Sequence, residues 1–169
     1  MKIKLTQGKF AIVDKKDFDF LNQFKWFAYK SDNNFYAKRS VIAFENGIKK
    51  TKTIRMHRFI LKAKKGQYVD HVNHNGLDNR RKNLRLCSNA ENIRNQRKRA
   101  CNTSGFRGVY WHGQTQKWIA QIKVNYKGIA LGYFENKIDA AIAYDKAAIK
   151  FHKKFAMTNK KMGLLNANT

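Results

Sequence analysis

Apolar positions along this chain change period several times, and each change marks an expected element. Ile3 and Leu5, then Phe10, Ile12 and Val13, flank Gln7-Gly8 and predict two short strands around a turn. Phe18, Leu21 and Phe24 fall at helical spacing, so a short helix is expected there. Trp26 to Tyr29 and Phe35 to Ile42 enclose Ser31-Asp32-Asn33-Asn34, which reads as a hairpin. Glu45-Asn46-Gly47 is a further turn, and a strand follows through Lys52-Thr53-Ile54. From Arg55 to Leu61 the period returns to helical, with Met56, Phe59 and Ile60 on one side. Residues 1–68 thus predict a strand-rich lead-in.

Val69 to Asn95 organises the rest. It reads as a short strand, a loop with an Asn75-Gly76 turn signal, a second short strand and a helix. Ser88 with Glu91 three residues later is a capping-box pattern, which starts the helix at Asn89. Farther on, Phe106–Trp111, Trp118–Val124 and Ile129–Phe134 predict three strands. Their turns fall at His112-Gly113-Gln114 and Asn125-Tyr126-Lys127-Gly128. Asn136 caps a helix whose apolar stripe is Ala140, Ala141, Ala143, Tyr144, Ala147, Ala148 and Phe151. A stripe so poor in bulk allows close approach to a three-stranded sheet. The other sheet face carries polar residues, Gln121 and Lys123, which fit a major groove wide enough for strands. One of Trp111 and Trp118, or both, is expected to anchor the sheet to the helix.

Charge points to a polyanion partner, a feature that ribosomal and membrane-surface proteins share, so charge alone does not choose among them. The chain of 169 residues carries a formal net charge of +25, with a pI near 10.3. Through residue 100 there are 25 basic against 8 acidic residues, and beyond it 11 against 3. Both parts therefore suit a polyanion, since Lys and Arg displace counterions condensed on nucleic-acid phosphates. An aromatic content of 13% argues for packed cores over a disordered basic tail. Arg94-Asn95-Gln96-Arg97-Lys98-Arg99, followed by a polar connector to Gly105, places a domain boundary near residue 100. In that position Arg94, Arg97, Lys98 and Arg99 are expected to track DNA. Cys87 and Cys101 form no C-x-x-C pair and fit reduced cytosolic thiols. Neither a membrane-length apolar run nor a signal-peptide core is present, so a soluble, cytoplasmic protein is expected.

The central stretch brings chemistry. Asp70 and His71 on a strand, with Asn92 and Asn95 on the following helix, assemble a carboxylate, an imidazole and amides. A carboxylate and an amide oxygen are hard ligands for Mg²⁺, which keeps waters and takes substrate phosphate. An imidazole near neutrality can accept a proton from the attacking water. Lone Asp-His pairs are ordinarily surface polarity and Asn-rich loops ordinarily turns, so the weight lies on the whole constellation. His57 is a catalytic candidate for which core packing or a phosphate contact is the stronger expectation, and His74 is expected in solvent.

These residues resemble the HNH (ββα-metal) nucleases. Asp70-His71 matches the paired position on the first strand, Asn83 the central Asn 13 positions on, and Asn92 the helix position 22 positions on. The Asp-His…Asp-Asn-Arg…Asn-Leu-Arg…Asn-x-x-Asn frame is similar to the phage and intron homing-endonuclease branch. The resemblance implies an α+β nuclease in which His71 activates water and Asn83 braces the loop that orients it. Asp70 and Asn92, or Asn95 one turn on, hold one divalent cation, Mg²⁺ or Mn²⁺. It implies double-stranded DNA as partner, no obligatory protein partner, and the cytoplasm of a phage host or bacterium.

The last third resembles the ethylene-response-factor (apetala-two type) DNA-binding domain. Ser104-Gly105-Phe106-Arg107-Gly108-Val109, Lys117–Ile122, Leu131-Gly132-Tyr133-Phe134 and Ala140–Ala148 carry the likeness. By position, Arg107, Tyr110, His112, Gln121 and Lys123 correspond to the base-reading strand residues. Tyr110 and His112 stand where the plant proteins mostly have Arg, and Gln121 replaces Glu. The expectation is a lead-in and nuclease over 1–100, then a recognition module over 101–169. The rivals are a non-catalytic DNA-binding regulator on an HNH scaffold and an RNA-binding or ribonuclease module, the latter without an aromatic RNP pattern.

Overall fold

Around the Gln7-Gly8 turn, where both residues have positive φ, β1 (Lys2–Lys4) pairs antiparallel with β2 (Phe10–Ile12). The structure, a computed structural model, describes residues 1–31, 34–95 and 102–166. Helix α1 (Lys15–Asn22) buries Leu21, with Phe18 and Phe24 packed beside it. Strands β3 (Phe27–Ser31), β4 (Asn34–Glu45) and β5 (Ile48–Arg55) form an antiparallel sheet in that order. Asn46 and Gly47, at φ 53° and 75°, supply the two left-handed residues that a tight hairpin needs. Helix α2 (Met56–Ile60) then turns Met56 and Ile60 into a core shared with Ile3, Val13, Leu21 and Trp26.

Strand β6 (Tyr68–His71) pairs antiparallel with β7 (Leu84–Cys87), and α3 (Asn89–Asn95) begins where the capping-box pattern put it. The lead-in grips the loop of this hairpin. Ile12 donates its N–H to Leu77 O at 2.8 Å and accepts from Asn79 N at 2.7 Å. Arg81 donates its backbone N–H to the Asp14 carboxylate and its guanidinium pairs with Asp17 at 2.7 Å. Lead-in and hairpin are thus one scaffold.

The chain divides into two compact units, Met1–Asn89 and Ala90–Thr169, so all of α3 after its first residue groups with the second. The expected boundary near 100 falls in residues 96–101, outside those described. In the second unit β8 (Val109–His112), β9 (Lys117–Val124) and β10 (Lys127–Phe134) form an antiparallel sheet against α4 (Lys137–His152). Asn136 caps α4 by accepting from Ile138 N at 2.9 Å. Among the described residues, four α-helices and antiparallel strand pairs make a mixed α+β fold.

Three details differ from the pattern. Strand β8 starts at Val109 and not Phe106, because Ser104 Oγ donates to Val109 O and holds 104–108 as a turn. Gly108 has φ 74° there, and the Tyr144 ring fills the space a Cβ would take. Strand β10 starts earlier, at Lys127, because Asn125 and Tyr126 (φ 48° and 65°) make the whole turn. Phe151 leaves the α4 stripe and is partly exposed; Phe155, Ala156 and Met157, after the helix, are buried instead. No helix among the described residues is long and apolar enough to cross a membrane.

Candidate active site

Antiparallel pairing sets the site. Register places Asp70 opposite Arg85 and His71 opposite Leu84, at the loop end of the hairpin. Asp70 Oδ2 accepts from Arg85 Nε at 2.8 Å and lies 2.7 Å from its second guanidinium nitrogen. Asn83, in a 3-10 turn before β7, braces the loop from both sides. Its Oδ1 accepts from Asn73 N at 2.9 Å, and its Nδ2 donates to Asp78 O at 2.7 Å. Its own carbonyl accepts from Val72 N, the residue after His71. Asn83 bonds loop backbone and reaches His71 only through it. Gly76 has a different reason from the expected turn conformation: its φ is not positive, and a Cβ would lie 2.6 Å from the Tyr36 ring. The left-handed residue in this loop is His74, at φ 62°, half-buried where a solvated residue was expected.

Asp78 anchors the same loop, accepting from Arg80 at 2.8 and 2.6 Å and from Asn73 Nδ2 at 2.9 Å. The Arg80 hydrogen bond, aided by Asn73, outweighs burial and holds the Asp78 carboxyl below the usual carboxylate range. A depressed folded pKa adds stability above the unfolded value of about 4, and that stability is lost as pH falls through the folded value. Asp78→Asn should therefore flatten the acid limb of stability below about pH 4. Thermal melts of wild type and variant at pH 7, 4 and 3 check this; parallel losses in both proteins would remove Asp78 from the account.

Histidine chemistry concentrates beside Asp70. His57, on α2, meets His71 edge to face with ring centroids 5.0 Å apart, and Tyr36 lies 5.9 Å from each. Burial, and secondarily His71, pushes His57 down to about 3, so it is neutral at pH 7. Burial also lowers His71, against the opposing pull of Asn79, Asp70 and Asp78. The Asn79 amide is near enough to favour a charged imidazole but is not aligned as a hydrogen bond. His57 Nδ1, His71 Nε2 and both Asn79 amide atoms are buried without a hydrogen-bond partner among the described residues. The sequence pattern favours core packing or a phosphate contact over catalysis for His57, gives Asn79 no role and does not single out Arg85. Hairpin register was the signal for Arg85, and the Asp78-Asn79-Arg80 frame for Asn79.

Among the described residues no three His, Cys, Asp or Glu side chains converge on a metal site. A caged transition metal does not fit that donor set. One buried carboxylate, Asp70, does fit a hard ion that keeps its waters and binds phosphate. Asp70, His71 and Asn83 lie in the first unit, whereas Asn92, Asn95 and Arg94 lie on α3 in the second. Arg97, Lys98 and Arg99 are outside the described residues.

The strand residues expected to face DNA divide into two groups. Tyr110 and His112 stand on β8, where His112 bonds Thr115 Oγ1 at 2.9 Å and packs on Tyr133. Gln121 and Lys123 are exposed on β9. Arg107 is not presented to solvent as expected: Nε donates to Tyr144 OH at 2.8 Å and a terminal nitrogen to Arg94 O at 3.0 Å. A buried phenol hydroxyl and a helix carbonyl both need donors, and Arg107 supplies them. Trp118 packs on the core while Trp111 is half exposed, so one tryptophan anchors the sheet.

Residues 55–94 match the HNH endonuclease family. The match begins just ahead of α2, spans the Asp70–His71 hairpin and runs into α3. The chain is also similar to Protein 3.8 of Escherichia phage T7, 39% identical over 54 residues, covering 32% of this chain and 45% of that protein. It is similar to APETALA2-like protein 2 of rice (Oryza sativa subsp. indica and japonica), 42% identical over 59 residues. That likeness covers 34% of this chain and 13% of the rice protein. The chain thus spans less than half the length of each of these relatives. An HNH endonuclease domain suggests a nuclease or DNA-binding function.

Proposed function

We propose that this chain is a metal-dependent DNA endonuclease of the HNH homing type. The observation that carries the reading is the position of His71: beside Asp70, inside the HNH match, with Nε2 unengaged among the described residues. Nε2 then takes the proton from the attacking water, and Asn83 keeps the loop behind it in place. Asp70 and Asn92, with Asn95 the alternative on the helix, would hold one divalent cation, Mg²⁺ or Mn²⁺, in a ββα-metal arrangement. Such an ion, when bound, stabilises negative charge on the scissile phosphate and the leaving oxygen. The products are a 5′-phosphate and a 3′-hydroxyl.

In this reading the nuclease region spans 1–100, α3 included, and 101–169 is an ethylene-response-factor-like module. Double-stranded DNA is the partner, with no obligatory protein partner, in the cytoplasm of a phage host or bacterium. The basic groove of the first unit supports a polyanion partner. Lys38, Arg55, Arg58, Lys62 and Lys65 line about 1000 Å³ with no acidic residue in the wall. A non-catalytic DNA-binding regulator is the second reading, favoured by the Arg85 guanidinium on the Asp70 carboxylate. Supercoiled plasmid separates the two. The endonuclease converts it to nicked or linear DNA with Mg²⁺ and not with EDTA, whereas the regulator shifts it unchanged in both.

A further inference from the structure

Three of the strand residues expected to read bases also line a cavity. Arg107, Gln121 and Lys123 share about 320 Å³ with Arg94 of α3, Tyr126 and His152, all within the second unit. No aspartate or glutamate stands in its wall. Arg94, Arg107 and Lys123 thus put three cationic side chains into the lining, and a wall of that composition favours an anion. Arg107 is held in place by Tyr144 OH and Arg94 O. The Gln121 amide lies over Gly128, where a Cβ would be 2.8 Å from its Nε2.

The rest of the lining is unsuited to a bare oxyanion. His152 Nε2 lies 3.1 Å from Lys123 O, which only accepts, so the ring carries its proton on Nε2. Nδ1 is then a lone-pair acceptor, and it makes no hydrogen bond in a residue only 6% exposed. Burial lowers the His152 pKa and keeps the ring neutral. An acceptor repels phosphate oxygens and attracts the N–H groups of a base. Gln121 offers both a donor and an acceptor, and Tyr126 offers a ring face at the mouth on which a base can stack. The volume sits at the small end of ligand pockets, which run from about 300 to 1,000 Å³. A duplex cannot enter it.

We propose that this cavity binds a single nucleotide unit, its phosphate on Arg94, Arg107 and Lys123 and its base against Gln121, Tyr126 and His152. The unit comes from a free nucleoside monophosphate or from an unpaired nucleotide of a DNA strand, since both present the same groups. For the strand source the inference rests on the DNA-binding reading of this unit.

Calorimetric titration of the full chain at low salt tests it, with dAMP, deoxyadenosine, inorganic phosphate, a 5′-phosphorylated single strand and closed circular duplex as ligands. dAMP is expected to bind at least tenfold more tightly than deoxyadenosine or phosphate. Lys123→Ala and Gln121→Ala, both at exposed side chains, should each weaken it about tenfold while leaving the thermal melt unchanged. Competition by the single strand assigns the site to DNA strands; dAMP binding without that competition assigns it to free nucleotides. Phosphate binding as tightly as dAMP, unaltered affinity in both variants, or equal competition by closed duplex would overturn the proposal. Duplex gel shifts run alongside keep the two readings apart. A retained shift without dAMP binding sinks the nucleotide site alone, and dAMP binding without a shift sinks the duplex-recognition role alone.

Discussion

Replacing His71 with alanine is expected to lower the cleavage rate by a factor of about 10²–10⁴ while leaving DNA affinity nearly unchanged. Its ring is buried against Tyr36 and His57, far from any role as a phosphate clamp, and burial keeps it in the neutral form that can accept a proton. The loss should therefore fall on the chemical step. Removing the ring also opens space beside His57, so His71→Gln, which fills more of it, separates packing from chemistry. Both variants should be inactive, and the glutamine variant should melt closer to wild type. Single-turnover cleavage of plasmid with Mg²⁺ gives the rate, and gel shifts in EDTA give the affinity. Wild-type turnover by His71→Gln would remove the imidazole from the mechanism.

Much of this site was legible because its signals are local. Asp70-His71, Asn83 and the Ser88–Glu91 helix start are spacing patterns within one short hairpin, and pairing on β6 and β7 follows directly. The turns at Gln7-Gly8 and Asn46-Gly47 were legible for the same reason, since backbone at positive φ favours glycine and, less strongly, asparagine. What escaped depends on tertiary approach. Gly76 yields to the Tyr36 ring from β4, a neighbour forty positions away in the chain. His57 reaches His71 from α2, and Asn79 is buried where Ile12 bridges to that loop. The tail after α4 was silent in the pattern. There Asn159 takes Asp145 Oδ1 through both its backbone and its side chain, and accepts from Arg107 N at 2.7 Å. A short buried polar hub of that kind has no periodicity to read. The strand residues of the second unit show the converse: positional likeness assigned Arg107 to bases, and two of its N–H groups bond Tyr144 OH and Arg94 O within the unit.

Asp70→Ala is expected to be the most damaging single change to the ion site, and it should leave two separate signatures. Cleavage should fall at least as far as in the His71 variant and should not recover in excess Mg²⁺ or Mn²⁺, because Asp70 is the carboxylate of the proposed donor set. Stability should fall as well. Asp70 and Arg85 are both largely buried, and the structure pairs them at 2.7 Å. Removing one member of a buried pair leaves the other charge desolvated, at a cost of about 3–5 kcal/mol. Arg85 keeps 18% of its side chain exposed, which puts the expected loss at the low end of that range. Asp70→Ala with Arg85→Met distinguishes the two effects. An apolar replacement of the guanidinium should restore most of the melting temperature. It should restore none of the cleavage, since the carboxylate is still missing. Arg85→Met alone should keep cleaving, and at lower Mg²⁺ than wild type, because the ion no longer displaces a guanidinium from Asp70. Thermal melts and Mg²⁺ titrations of plasmid cleavage on the three variants supply both readouts. Cleavage by the double variant at the wild-type rate would show that Asp70 serves the fold through Arg85 and holds no ion.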